Sequence, residues 1–206
     1  MQIHSALLSR HVIRVRLASC CSYVNARHAR RLGMRTLPRQ AQQRLTALGI
    51  EKRHVQACKM PFQPEQSVVD AGLDIYDRPV QMSSGTLTAW QRLSSAAEGE
   101  DVTIQIVSAY RSFEYQCQII ERKRERGQSM DEILRVSAIP GFSEHHSGCA
   151  LDLTTPGHPP LEESFEQSDA FGWLSRQAHE FGFTLSYPRD NPLNVDYEPW
   201  HWCWHR

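Results

Sequence analysis

Residues 143–152 are Ser143-Glu144-His145-His146-Ser147-Gly148-Cys149-Ala150-Leu151-Asp152. Two imidazoles precede a glycine turn, and the small and apolar residues 149–153 that follow predict a short strand carrying Asp152. On the N-terminal side, residues 139–141 (Ile-Pro-Gly) form a loop, and Ser129 with Glu132 makes the capping box of a short helix. Ser112 caps a longer, charged helix that runs to about Arg126, with Gly127 after it. Val102, Ile104 and Ile106 alternate with polar residues, which predicts a strand over 102–107 with one buried face. On the C-terminal side, three prolines and a glycine make 154–160 a surface loop. A helix over 168–181 ended by Gly182, a strand over 183–187 and an aromatic-rich last strand over 195–204 complete the chain.

Farther upstream, Leu37, Ala41, Leu45 and Leu48 share one face of a helix over 36–49. Residues 60–85 are irregular apart from a strand at Pro79–Met82, and Thr86 caps a helix in which Leu87, Trp90 and Leu93 recur, ending near Ala97. Helices and strands mix without a βαβ rhythm. The fold class is therefore α+β, with an antiparallel sheet.

Length and charge bound the rest. The 206 residues suffice for one ordinary domain, and no apolar run approaches the ~18 residues of a membrane span. Lys and Arg balance Asp and Glu at 23 each, but unevenly: residues 1–50 hold nine Arg and no acid. Residues 1–33 therefore read as a basic extension ahead of a single domain over 34–206, with Met34 as an alternative start. Arginines without aromatic interleaving or a recognisable module are a weak nucleic-acid signal, so no such partner is expected. Arg10, His11, Arg14 and Arg16 interrupt every apolar run that a secretory signal would need. Six cysteines occur without a C-x-x-C pair, which argues against a zinc ribbon or thioredoxin-type site and for free, packed thiols.

Three segments carry chemistry. Besides 143–152, Glu198-Pro199-Trp200-His201 places an acid and an imidazole three apart, and Ser108-Ala109-Tyr110-Arg111-Ser112 puts an arginine where a strand passes into a helix. Together they supply a catalytic zinc centre, which needs three protein ligands and one open position. His145, Asp152 and His201 give two imidazoles and a carboxylate, Glu198 is left as general base, and Arg111 stabilises negative charge. His146 competes with His145 for the ligand role. Adjacent side chains on extended backbone point to opposite sides, so only one of the two faces a metal.

The pattern S-x-H-x-x-G-x-A-x-D followed by E-x-W-H resembles that of the VanY/VanX-like zinc D-alanyl-D-alanine carboxypeptidases. It is carried by Ser143, His145, Gly148, Ala150 and Asp152, then by Glu198, Trp200 and His201. Tyr110-Arg111-Ser112 with Gln116 resembles the Y-R-S-x-x-x-Q stretch of the same family. The resemblance spans roughly residues 101–206. It implies a Hedgehog/D,D-peptidase-type domain, with helices packed on a small central antiparallel sheet and one catalytic zinc held by His145, Asp152 and His201. It further implies Glu198 as base, Arg111 facing the substrate or transition state, and Gln116 and Ser143 near the substrate.

The reaction so implied is removal of the C-terminal D-alanine from peptidoglycan stem peptides or precursors ending in D-Ala-D-Ala. The same site would serve an L,D-carboxypeptidase or an L-Ala-D-Glu endopeptidase. A non-catalytic zinc domain that binds peptides, as in the Hedgehog relatives, is disfavoured by the presence of both Glu198 and Arg111. Peptidoglycan chemistry points to the cell envelope, whereas the lack of a clear export signal leaves cytoplasmic processing of recycled peptides open.

Overall fold

Strand β4 (Ala150–Thr154) is buried at every position, which is why its residues are small, apolar or engaged in polar contacts. It lies inside a four-stranded antiparallel sheet of order β3-β4-β6-β5, with β3 at Gln105–Ser108, β5 at Phe183–Leu185 and β6 at His201–Trp204. Register then does the positioning. Asp152 sits opposite His201 on one neighbour and opposite Ser108 on the other, so the acid and the imidazole become cross-strand neighbours. A separate hairpin pairs β1 (Val69–Leu73) with β2 (Pro79–Met82).

The structure is a computed structural model that describes residues 37–205. The basic extension over 1–33, Met34, Cys20 and Cys21 lie outside the described residues. Helices α1 (Arg39–Ala47), α2 (Lys52–Ala57), α3 (Ser84–Glu98), α4 (Phe113–Glu125), α5 (Met130–Arg135) and α6 (Asp169–Gln177) surround the sheets. Met82, Leu93, Ala97, Leu151, Leu153, Trp173, Leu174, Phe183 and Trp202 form one core against the sheet. A second core joins α1, α4 and α5 through Leu45, Leu48, Cys117, Ile120, Ile133 and Phe142. This matches the α+β expectation of helices on an antiparallel sheet. Among the described residues no helix is long and apolar enough to cross a membrane, and Cys58, Cys117, Cys149 and Cys203 are free thiols.

Several local expectations are corrected. The cap of α3 is Ser83, not Thr86: Ser83 Oγ accepts from the Thr86 N–H, a contact that stabilises a helix by about 1 kcal/mol. The strand expected over 102–107 begins at Gln105, and Ile106 and Val107 are both buried because both faces of β3 are covered. The 168–181 helix, capped by Ser168, tightens to a 3-10 turn at Ala178–Phe181 before Gly182. The last strand spans only His201–Trp204, because the Glu198 carbonyl accepts from the His201 N–H and folds 198–201 into a β-turn with Pro199 at its second position.

Candidate active site

The segment after β3 runs beside the 3-10 turn Glu144–Ser147 and sorts the two histidines. The Ala109 carbonyl accepts from His145 Nδ1 at 2.5 Å, and the Arg111 carbonyl accepts from His146 Nδ1 at 2.6 Å. His146 Nε2 then accepts from the Gly141 N–H at 2.9 Å, so both of its ring nitrogens are spent on backbone. His145 Nε2, by contrast, is buried without a hydrogen-bond partner. The two rings part company through these bonds. The extended-backbone reason given by sequence does not apply, because the backbone here is a 3-10 turn. Gly148 closes that turn at φ 68°, and a Cβ there would stand 2.8 Å from the Ser83 backbone nitrogen.

Three side chains converge around the free His145 nitrogen. Asp152 Oδ1 lies 3.3 Å from His145 Nε2 and 3.1 Å from His201 Nδ1. One ligand atom from each of the three residues falls within 4.8 Å of the others, and all three residues are buried. A tetrahedral zinc with bonds near 2.05 Å has ligand–ligand edges of about 3.3 Å, so the donor set and its spacing fit that ion. Asp152 Oδ2 is occupied separately by Arg111 Nη2 at 3.2 Å, which leaves Oδ1 for the centre.

The electrostatics set the protonation states. Burial and the Arg111 charge push His145 down to about 4, so at neutral pH it is uncharged, with its proton on Nδ1 toward Ala109. Burial opposes ionisation of Asp152, but the Arg111 charge and the hydrogen bond from the protonated His201 ring hold it well below the usual carboxylate range. Burial would also lower His201. Hydrogen bonds to Asp152 and Glu144 reverse this and raise it to about 10, so the centre holds a proton in the absence of a cation. Glu198 stands with Oε2 3.6 Å from His201 Nδ1, and burial raises its carboxyl to about 7, the range suited to a general base.

All of these groups line one cleft of about 390 Å³, together with Gln116 and Ser143. Gln116 Nε2 donates to the Ala138 carbonyl at 2.9 Å, and its Oε1 is buried with no partner. The structure therefore brings His145, Asp152, His201, Glu198, Arg111, Gln116 and Ser143 to a common cavity. Cys203 and Cys149 are not among the lining residues, and neither is His158.

Sequence reasoning missed Glu144. Its Oε2 accepts from His201 Nε2 at 3.0 Å, fixing the ring so that Nδ1 faces Asp152. Burial would raise Glu144, but its hydrogen bond with His201 and the charge of that ring hold it at about 2. The available signal was chemical: a ligating imidazole usually gives its second N–H to a carboxylate, and Glu144 is the acid adjoining His145. Tyr187 was also missed; its ring packs on His201 at a 4.6 Å centroid distance.

Residues 79–206 match the family model VanY, described as D-alanyl-D-alanine carboxypeptidase. The chain is 30% identical over 122 residues to the putative carboxypeptidase YodJ of Bacillus subtilis, covering 55% of this chain and 42% of that protein. It is 31% identical over 134 residues to the bifunctional D-Ala-D-Ala dipeptidase and carboxypeptidase VanXYC of Enterococcus gallinarum, covering 61% and 67%. The chain thus spans less than half the length of the Bacillus relative. Among solved structures, the LdcB LD-carboxypeptidase shares the fold with a TM-score of 0.61 at 24% identity, covering 69% of each chain. The D,D-dipeptidase VanXYg, solved with a D-Ala-D-Ala phosphinate analogue, aligns with a TM-score of 0.55 at 26% identity, covering 68% of this chain and 56% of the other. On the match over 79–206, which takes in every residue of the centre, this chain belongs to the VanY family of D-alanyl-D-alanine carboxypeptidases.

Proposed function

We propose that the protein is a zinc metallocarboxypeptidase that removes the terminal D-alanine from peptidoglycan peptides ending in D-Ala-D-Ala. The observation that carries this reading is the placement of Glu198 beside a buried three-ligand centre at the wall of an open cleft. Family membership supports zinc as the ion, and a VanY relative has been solved in complex with Zn(II). Held by His145 Nε2, His201 Nδ1 and Asp152, zinc would supply Lewis acidity to water and to the scissile carbonyl. Glu198 takes the proton of the attacking water and returns it to the leaving amine. The Arg111 guanidinium, tethered through Nη2 to Asp152, keeps a buried Nε without a partner and faces the negative charge that develops during attack. Ile119, Leu134, Val195 and Trp200 give the cleft apolar surface for alanyl methyl groups.

Two expectations follow for metal binding. His201 carries a proton at pH 7 in the metal-free protein, so its Nδ1 must lose that proton to ligate. Zinc binding at pH 7 should therefore release about one proton from His201 and a further fraction from Glu198, and affinity should rise with pH. Calorimetry in buffers of different ionisation enthalpy reads this directly, and proton-neutral binding would remove His201 from the ligand set. Glu144→Ala should weaken zinc binding about 10–100-fold without abolishing it, because the ring loses its orienting carboxylate rather than its ligand atom. A competitive chelator titration measures the difference.

The reaction itself is tested by incubating zinc-loaded protein with pentapeptide stems ending in D-Ala-D-Ala and with tetrapeptides ending in a single D-Ala. Loss of one alanine from the pentapeptide, seen by mass spectrometry, is the expected result. Loss only from the tetrapeptide would move the specificity to L,D, and internal cleavage would make the protein an endopeptidase. No cleavage with zinc bound would leave a peptide-binding domain.

A further inference from the structure

Helix α4 presents Gln116, Ile119 and Lys123 to the cleft, a spacing of three and four that keeps them on one helical face. Seven residues at 1.5 Å each place Lys123 about 10 Å along the helix from Gln116. The cleft is lined by three cations, Arg111, Lys123 and Arg135. Arg111 is paired with Asp152, and Arg135 pairs with Asp196 at 3.4 Å. Lys123, among the described residues, has no carboxylate within 4.0 Å; its Nζ donates only to Ser137 Oγ, at 2.7 Å. It is partly buried, so its charge is incompletely solvated, and it lies within electrostatic reach of both Arg111 and Glu198. A half-desolvated ammonium in a peptide cleft, satisfied by one neutral hydroxyl, has two N–H donors left for an anion.

We propose that Lys123, positioned by its hydrogen bond to Ser137, forms a carboxylate subsite that binds a free carboxylate of the peptide and so selects which peptides enter the site. This rests on the peptidase reading above and adds a specificity residue to it. The carboxylate is either the C-terminal group of the substrate or an acidic side chain near the scissile bond. A charge-assisted bond of this kind is worth about 10–100-fold in affinity.

The test uses zinc-loaded Glu198→Gln protein, with and without Lys123→Met, titrated calorimetrically. The ligands are diacetyl-Lys-D-Ala-D-Ala, its C-terminal amide, and the amide of a peptide carrying Glu in place of the acylated lysine. With Lys123 present the acid should bind at least about tenfold more tightly than its amide. Lys123→Met should weaken the acid about 10–100-fold, shift the amide by less than about threefold, and be rescued by Lys123→Arg. If the charge effect appears only with the Glu peptide, the carboxylate recognised is a side chain's. Ser137→Ala, which cuts the tie between α4 and the loop after α5 but keeps the charge, should preserve most of the acid-to-amide ratio. Equal loss for the acid, its amide and the Glu peptide in Lys123→Met would make Lys123 a structural tie and overturn the subsite, as would an unchanged affinity for all three. If no peptide binds and the native protein cleaves none, the peptidase reading fails and the subsite falls with it.

Discussion

Replacing Glu198 by glutamine is expected to lower kcat about 10²–10⁴-fold while one zinc per chain stays bound. The amide nearly preserves the carboxylate's size and its place in the 198–201 turn, whose Glu198 N–H and carbonyl are held by Tyr187 and His201. What disappears is the proton acceptor. The pH dependence gives a second signature. A general base works deprotonated, so activity falls as pH drops through its pKa. Burial raises Glu198 to about 7 in the metal-free protein, and a bound dication would draw it lower. The acid limb of kcat/KM should therefore have its midpoint at or below about 7, and Glu198→Gln should remove that limb. Activity within tenfold of the native protein in the variant would rule Glu198 out as base.

Replacing Asp152 by alanine should have the larger structural effect. Its two oxygens contact the buried His145 and His201 and the half-buried Arg111 at 3.1–3.3 Å. Removing it deletes a candidate metal ligand and leaves Arg111 and a protonated His201 facing each other without their shared anion. Breaking such a buried pair costs about 3–5 kcal/mol. Urea unfolding of the metal-free variant should show that loss, and zinc should no longer restore activity or stability. The sign with pH is fixed by the lowered pKa of Asp152: its contribution is present above the ordinary carboxylate range and is lost as pH falls through its folded value. The native protein should thus lose stability in acid more steeply than the variant.

The candidate site was legible because its groups sit at fixed offsets inside well-signalled elements. Asp152 lies on an apolar strand, Glu198 and His201 flank a proline, and Arg111 precedes a serine-capped helix. The elements that escaped lacked a pattern. Strand β1 is mostly exposed, with aspartate and glycine among its five residues, so it shows neither alternation nor an apolar run. Helix α2 is six residues long and is stabilised by the reciprocal Glu51–His54 bonds rather than by an apolar stripe. The roles of Glu144 and Lys123 depend on what the folded chain sets beside them: β6 brings His201 to Glu144, and the loop after α5 brings Ser137 to Lys123. The division between His145 and His146 is set by carbonyls 35 and 36 residues away, which no local pattern displays.

The most direct measurement is anomalous diffraction at the zinc edge from crystals of the zinc-loaded protein. A single peak is predicted about 2.0–2.2 Å from His145 Nε2, His201 Nδ1 and one Asp152 oxygen, with Glu198 outside bonding distance. A peak on His146 or on the Cys149 or Cys203 sulfurs, or no peak at the His145–Asp152–His201 centre, would contradict the assignment of ligands and with it the placement of Glu198 as base.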